Sequence, residues 1–152
     1  MQLRDLHIHS RFSGDCDTAL TDICEKAISY GVREIAFTDH VDFNPLDGSY
    51  YYLKPAPYLD EIMRCRGIYG DRLTIRSGVE ISEPHIYVEE TERLLTSHQF
   101  DLVIGSLHWV GNRPDWNGQY FEGLTFDEGM RAYFDELERM MNEPRSEFDI
   151  LG

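Results

Sequence analysis

Two histidines one residue apart, His7 and His9, close the short run Leu3-Arg4-Asp5-Leu6-His7-Ile8-His9. Side chains at i and i+2 leave a strand on the same face, so both imidazoles can reach one metal ion. Taken alone, the pair also fits two hydrogen-bonded polar residues at a strand end. Repetition is what raises it. Three more runs end in a ligand-type side chain in the same way: residues 34–40 end at Asp39-His40, residues 73–81 carry Glu80, and residues 100–108 end at His108. Imidazole and carboxylate together suit Zn, Mn or Fe and do not choose among them. Asp39 and Asp42 flank His40. Each could orient an imidazole or protonate a leaving group, and each could equally be a solvated loop charge.

The elements that must position these residues alternate between strand and helix. Leu20, Ile23, Cys24, Ala27 and Ile28 fall at helical spacing, and Gly31 follows as a stop. Pro57 opens a second helix that runs through Ile62 and Arg66 toward Gly70, and Pro84 opens a third with Tyr87, Thr91, Leu94 and Leu95 on one face. Thr125 and Glu128 form a capping box before a fourth, whose Met130, Tyr133, Phe134, Leu137 and Met141 make an apolar stripe read as core. A fifth strand begins at Phe148, and residues 42–57 and 110–123 read as long loops. This alternation predicts an α/β fold of parallel strands with helices outside, which gathers the ligand-type residues at the carboxyl ends of the strands. Parity agrees. Glu80 shares a face with Thr74, Arg76 and Gly78, opposite Leu73, Ile75, Val79 and Ile81, while His108 shares its face with Ser106 and Ile104.

Composition narrows the function classes. The 152 residues carry 28 acidic against 14 basic side chains, a net charge of −14, which argues against nucleic-acid backbone binding. Cys16, Cys24 and Cys65 are odd in number and lack Cys-x-x-Cys spacing, the expectation for reduced thiols in a cytoplasmic protein. No apolar run approaches membrane-spanning length, and Arg4 and Asp5 at the start read against a secretory signal peptide. His85 and His98 lie away from strand ends and read as structural, and Cys16 as small filler. Trp109 and Trp116 could wall a substrate pocket or simply anchor their loop.

Taken in order, Asp5-Leu6-His7-Ile8-His9-Ser10 with Ser13-Gly14-Asp15, Phe37-Thr38-Asp39-His40, Gly78-Val79-Glu80-Ile81 and Ile104-Gly105-Ser106-Leu107-His108 resemble the polymerase and histidinol phosphatase (PHP) family, in its histidinol-phosphatase type. The resemblance implies the N-terminal portion of a distorted (β/α)7 TIM-like barrel. By position it implies that His7 and His9 hold a first divalent ion, that Glu80 bridges first and second, that His108 binds the second, and that Asp15 and His40 bind a third. Glu80 and Asp42 are the catalytic candidates. The implied activity is metal-dependent hydrolysis of a small-molecule phosphomonoester, L-histidinol phosphate first. Another PHP phosphoesterase acting on a sugar phosphate or nucleotide, or a non-catalytic metal-binding module, stands as the alternative. Oligomeric state is not legible. Family members of this type continue past Asp-x-Leu-Gly into further His and Asp ligands and phosphate-gripping basic residues, and none follows Gly152. The expectation is an incomplete PHP domain over residues 1–152, poorly soluble or oligomeric and inactive alone, with a barrel continuing beyond residue 152.

Overall fold

Runs of buried β-branched and aromatic residues set the sheet, and helical rows of apolar residues cover it. A computed structural model describes residues 2–116, 118–145 and 147–152. In chain order the elements are β1 (Leu3–Ile8), α1 (Leu20–Ser29), β2 (Val32–Phe37), β3 (His40–Val41), α2 (Pro55–Tyr69), β4 (Thr74–Ser82), α3 (Val88–Ser97), β5 (Leu102–Ser106), β6 (Trp109–Val110), β7 (Arg113–Pro114), α4 (Phe126–Asn142) and β8 (Ile150–Leu151). Among the described residues the main sheet runs β1-β2-β4-β5-β8 with β3 also on β4, and every pair in it is parallel. The chain thus forms a curled half-barrel of the kind the motif order implies. No helix of the described residues is long and apolar enough to cross a membrane.

The core lies between sheet and helices. Leu20, Cys24 and Ala27 of α1 and Tyr58, Ile62, Cys65 and Tyr69 of α2 recur at three- and four-residue steps, and all are buried. They meet Ile35, Phe37, Ile75, Val79 and Ile81 from the strands and Leu73 just ahead of β4. Leu73, Ile75, Val79 and Ile81 are the helix-facing set that parity assigned.

The structure departs from the sequence reading in several places. Residues 34–40 are not one strand, because β2 stops at Phe37 and β3 resumes at His40 opposite Glu80. At the interruption the Tyr58 hydroxyl lies 2.9 Å from Phe37 O and 2.8 Å from Gly78 O, donating where the ladder would have run. Gly78 must be glycine there, since a Cβ would come within 2.8 Å of Leu102 O and 3.0 Å of Phe37 O. The second helix starts two residues early, with Pro55 in its first turn. The third starts at Val88 rather than Pro84, because Glu83 takes φ +47° and its carbonyl first accepts the Ile86 and Tyr87 N–H groups in a turn. The fourth has its capping box, yet Phe134 and Met141 on its stripe are 56 % and 55 % exposed, while Gly129 and Met140 are the buried positions. Core status was the wrong assignment for that stripe: the helix is amphipathic, but the half-barrel covers only part of its face. The segment read as a loop over residues 110–123 holds, together with Trp109, the antiparallel β6–β7 hairpin, and then a short 3-10 turn at Gly118–Phe121; position 117 lies outside the described residues.

Candidate metal centre

At the carboxyl ends of the strands the buried carboxylate of Glu80 is ringed by imidazoles. His7 arrives from the end of β1, His9 from one residue beyond it, His40 from β3 paired directly with Glu80, and His108 from two residues past β5. Glu80 Oε2 lies 3.1 Å from His7 Nε2, 2.9 Å from His9 Nε2 and 3.1 Å from His40 Nδ1. Its other oxygen lies 3.4 Å from His108 Nε2 and accepts the Ser106 hydroxyl at 2.6 Å. Asp15, on the turn after β1, faces His9 Nδ1 at 3.0 Å and His40 Nε2 at 3.6 Å. The six ligand candidates named from the sequence therefore converge. They sort into three groups, His7-His9-Glu80, His9-Asp15-His40 and His40-Glu80-His108, in each of which the ligand atoms lie within 4.8 Å of one another. Glu80 joins the first and third of these, as a bridging carboxylate would. His9 and His40 also take part in two groups each, an overlap the one-ion-per-histidine reading lacked.

The donor set fits divalent cations. Glu80 Oε2 and His40 Nδ1 are buried and engage in no hydrogen bond among the described residues, although three ring nitrogens crowd that oxygen. Two of those nitrogens, His7 Nε2 and His9 Nε2, face each other at 3.2 Å. Ligands held about 2.0–2.1 Å from a tetrahedral ion stand roughly 3.4 Å apart. The spacing seen here is close to that, and it suits lone pairs aimed at shared points better than a closed hydrogen-bond network.

The charges reinforce one another. Burial opposes ionisation of Glu80, but His108, His7, His9 and His40 outweigh it and hold its pKa well below the usual carboxylate range. Burial likewise disfavours the His9 cation, yet Glu80 and Asp15 prevail and raise its pKa to about 9. The same contest, with Asp42 and Glu80 as partners, lifts His108 to about 10. His40 goes the other way: burial and the neighbouring His9 and His108 push it down against the pull of Glu80 and Asp42.

Asp42 is 4 % exposed, accepts a hydrogen bond from the Ser82 hydroxyl and stands 4.0 Å from His108 Nδ1. Ser82 also approaches His108 Nδ1 at 2.8 Å, tying the two together. Asp39 is fully buried and accepts the Ser10 N–H at 2.6 Å and the Ser10 hydroxyl at 2.9 Å, so it orders the His9–Asp15 turn. Burial raises its pKa in spite of those bonds. The face carrying these side chains opens into a cavity of about 450 Å3 whose lining includes Asp15, His40, Asp42, Asp47, His108, Asp115 and Trp116. Trp109 is buried and donates through Nε1 to Asp47, whereas Trp116 is exposed and stands edge-on to His108 at 6.2 Å. His85 pairs instead with Glu136 of α4 at 2.7 Å, and His98 caps α3, both away from the cluster.

Sequence reasoning missed Ser82, Ser106 and Glu83. The serines were within reach, since each lies two residues along a strand from a ligand candidate and so on its face. Glu83 was not. Its carboxylate accepts the backbone N–H groups of His108 and Trp109 from a left-handed backbone that no local motif announces, and burial lifts its pKa to about 7 despite those two donors.

A parallel half-barrel with imidazoles and carboxylates collected at its strand ends defines a class of α/β barrel proteins with a multi-ligand polar centre. The PHP domain family model matches residues 5–152, and the chain belongs to that family. It is 32% identical over 134 residues to the histidinol-phosphatase of Lactococcus lactis subsp. lactis, covering 88% of this chain and 49% of that protein. The crystal structure of a histidinol phosphate phosphatase from the same organism, complexed with Zn, L-histidinol and phosphate, superposes with a TM-score of 0.90 at 28% identity, over 99% of this chain and 57% of that one. A Listeria monocytogenes structure shares the fold at a TM-score of 0.79 and 20% identity, over 98% and 65%. The chain thus spans about half the length of the curated relative it matches.

Proposed function

We propose that this chain carries the metal-binding half of a phosphomonoesterase that cleaves L-histidinol phosphate to L-histidinol and phosphate, with His7, His9, Asp15, His40, Glu80 and His108 as ion ligands. The observation that carries the reading is the buried, unbonded Glu80 oxygen ringed by three ring nitrogens at 2.9–3.1 Å. Two or three divalent ions would fit the three overlapping groups, Zn foremost given the zinc-containing relative. When bound, such ions supply Lewis acidity toward phosphoryl oxygens and activate water at neutral pH. Among the described residues that line the cavity none is Lys or Arg, so within the part of the site this chain supplies bound cations are what would offset a phosphoryl group.

The protein's own part is orientation. Ser106 holds one Glu80 oxygen, leaving the other turned to the imidazoles. Ser82 holds Asp42 beside His108 at the cavity wall, where the Asp42 carboxylate orients the His108 imidazole next to the reacting group. Farther out, Asp47 and Asp115 place negative charge where the alcohol portion of the substrate would sit, and Trp116 offers an aromatic edge. An alcohol bearing an ammonium and an imidazole matches that wall; a neutral sugar or a nucleotide does not. The three unbridged cysteines support a cytoplasmic setting.

The test is kcat/KM of the metal-loaded, full-length gene product on L-histidinol phosphate, glycerol phosphate, glucose 6-phosphate and AMP. The proposal expects histidinol phosphate to lead by at least about tenfold, and Asp115→Asn to cut that lead mainly through KM. Equal rates on all four would move the assignment to another PHP phosphoesterase. No turnover on any would leave a metal-binding module.

A further inference from the structure

Glu83 has no part in the family motifs quoted above, yet it is fully buried beside the cluster. It follows β4 directly, three residues after Glu80. Its backbone, at φ +47°, lies in the left-handed region that side chains other than glycine and asparagine seldom adopt. Its N–H donates to Ser106 O at 2.9 Å, and its carbonyl accepts the Ile86 and Tyr87 N–H groups, so the main chain is fastened on both sides. The consequence of that unfavourable turn is where the carboxylate goes. Oε1 accepts the His108 N–H at 2.6 Å and the Trp109 N–H at 3.0 Å. Two consecutive amides of the segment leaving β5 are thereby pinned to one oxygen. The His108 ring is fixed separately, with Nδ1 at 2.8 Å from the Ser82 hydroxyl and Nε2 turned toward Glu80 Oε1 at 3.4 Å.

We propose that Glu83 is a positioning residue: by accepting the His108 and Trp109 amides from a strained turn, it sets the main chain from which the His108 imidazole reaches its ion. A continued β-strand would have sent residue 83 to the opposite face from Glu80 and Ser82. The left-handed turn brings its carboxylate back against β5 instead. Local strain retained beside a polar centre, and answered by two hydrogen bonds to one ligand's own segment, is the arrangement expected of a built support. The inference rests on the proposed ligand role of His108.

The experiment loads the full-length gene product with Co2+ and follows ion content after dialysis, the visible absorption of the bound ions and the affinity of each class of site. Glu83→Gly removes the carboxylate and relieves the backbone, so a generic loss of fold is disfavoured as the cause of any effect. Glu83→Gln keeps an oxygen acceptor of the same reach. The expected result is roughly a 10- to 100-fold weaker affinity for one ion in Glu83→Gly, the other ions unchanged, with Glu83→Gln restored to within about threefold of the parent. Parent-like affinity at every site in Glu83→Gly overturns the proposal, as does a loss in Glu83→Gln as large as that in Glu83→Gly. Should Glu83→Gly not fold, Glu83→Asn, which tolerates the turn but is one methylene shorter, is read against the same two outcomes. Because the readout is ion binding, failure of the histidinol phosphate assignment would not alter this result, and failure here would leave that assignment open.

Discussion

At the scale of single residues, the centre is a contest between burial and mutual attraction, and attraction wins. Without ions, His9 and His108 carry raised pKa values of about 9 and about 10, so both are cations at pH 7. An ion can bind only to the neutral imidazoles. Loading at neutral pH should therefore release two protons, one from each ring, read by titration calorimetry in buffers of different ionisation enthalpy. Binding with no buffer dependence would contradict the coupling. The sign for stability follows. These groups sit above the free-histidine value of about 6.5, so their contribution to the ion-free fold is complete below that pH and is lost as pH climbs through 9 and 10. Glu80, held low, acts oppositely and loses its contribution only in acid. Melting of the ion-free protein should accordingly fall between pH 7 and 10, while the loaded protein stays level over the same range. Most of this centre was legible from residue type and strand-end position. Glu83 was not, because its role depends on a positive φ that only the assembled turn reveals.

At the scale of elements, the sheet is shaped by one interruption. The sequence reads as a single strand into His40, since Phe37 and Thr38 continue the apolar and β-branched run and only Asp39 departs from it. The cause is tertiary: the Tyr58 hydroxyl, brought in by α2, occupies the gap between Phe37 O and Gly78 O. Tyr58→Phe would leave those buried carbonyls without that donor, for a cost of about 1–3 kcal/mol. Gly78→Ala would drive a methyl into Leu102 O and Phe37 O, with a similar or larger loss. Denaturant melts of both variants check this, and unchanged midpoints would show that the interruption does not depend on these contacts. The α4 stripe erred for the opposite reason. Helical periodicity reports that a face is apolar, and says nothing of how much of that face this half-barrel covers.

At the scale of the whole molecule, the strand–helix alternation was enough to give a parallel sheet with its chemistry on one rim, because every crossover returns the chain to the same edge. Register did the rest. His40↔Glu80 and Ser82↔Ser106 are direct partners across β4, so the ligand candidates of separate strands arrive level with one another. An acidic chain of net charge −14 concentrates carboxylates at that rim as well, which favours divalent cations and a cationic alcohol over polyanions. The claim on which all of this turns is that the Glu80 carboxylate is shared between ions. Anomalous-difference diffraction from crystals of the zinc-loaded, full-length gene product measures it directly. The account predicts density peaks on both sides of the Glu80 carboxylate, one among His7 and His9 and one toward His40 and His108. A map with no peak within bonding distance of Glu80 would contradict it.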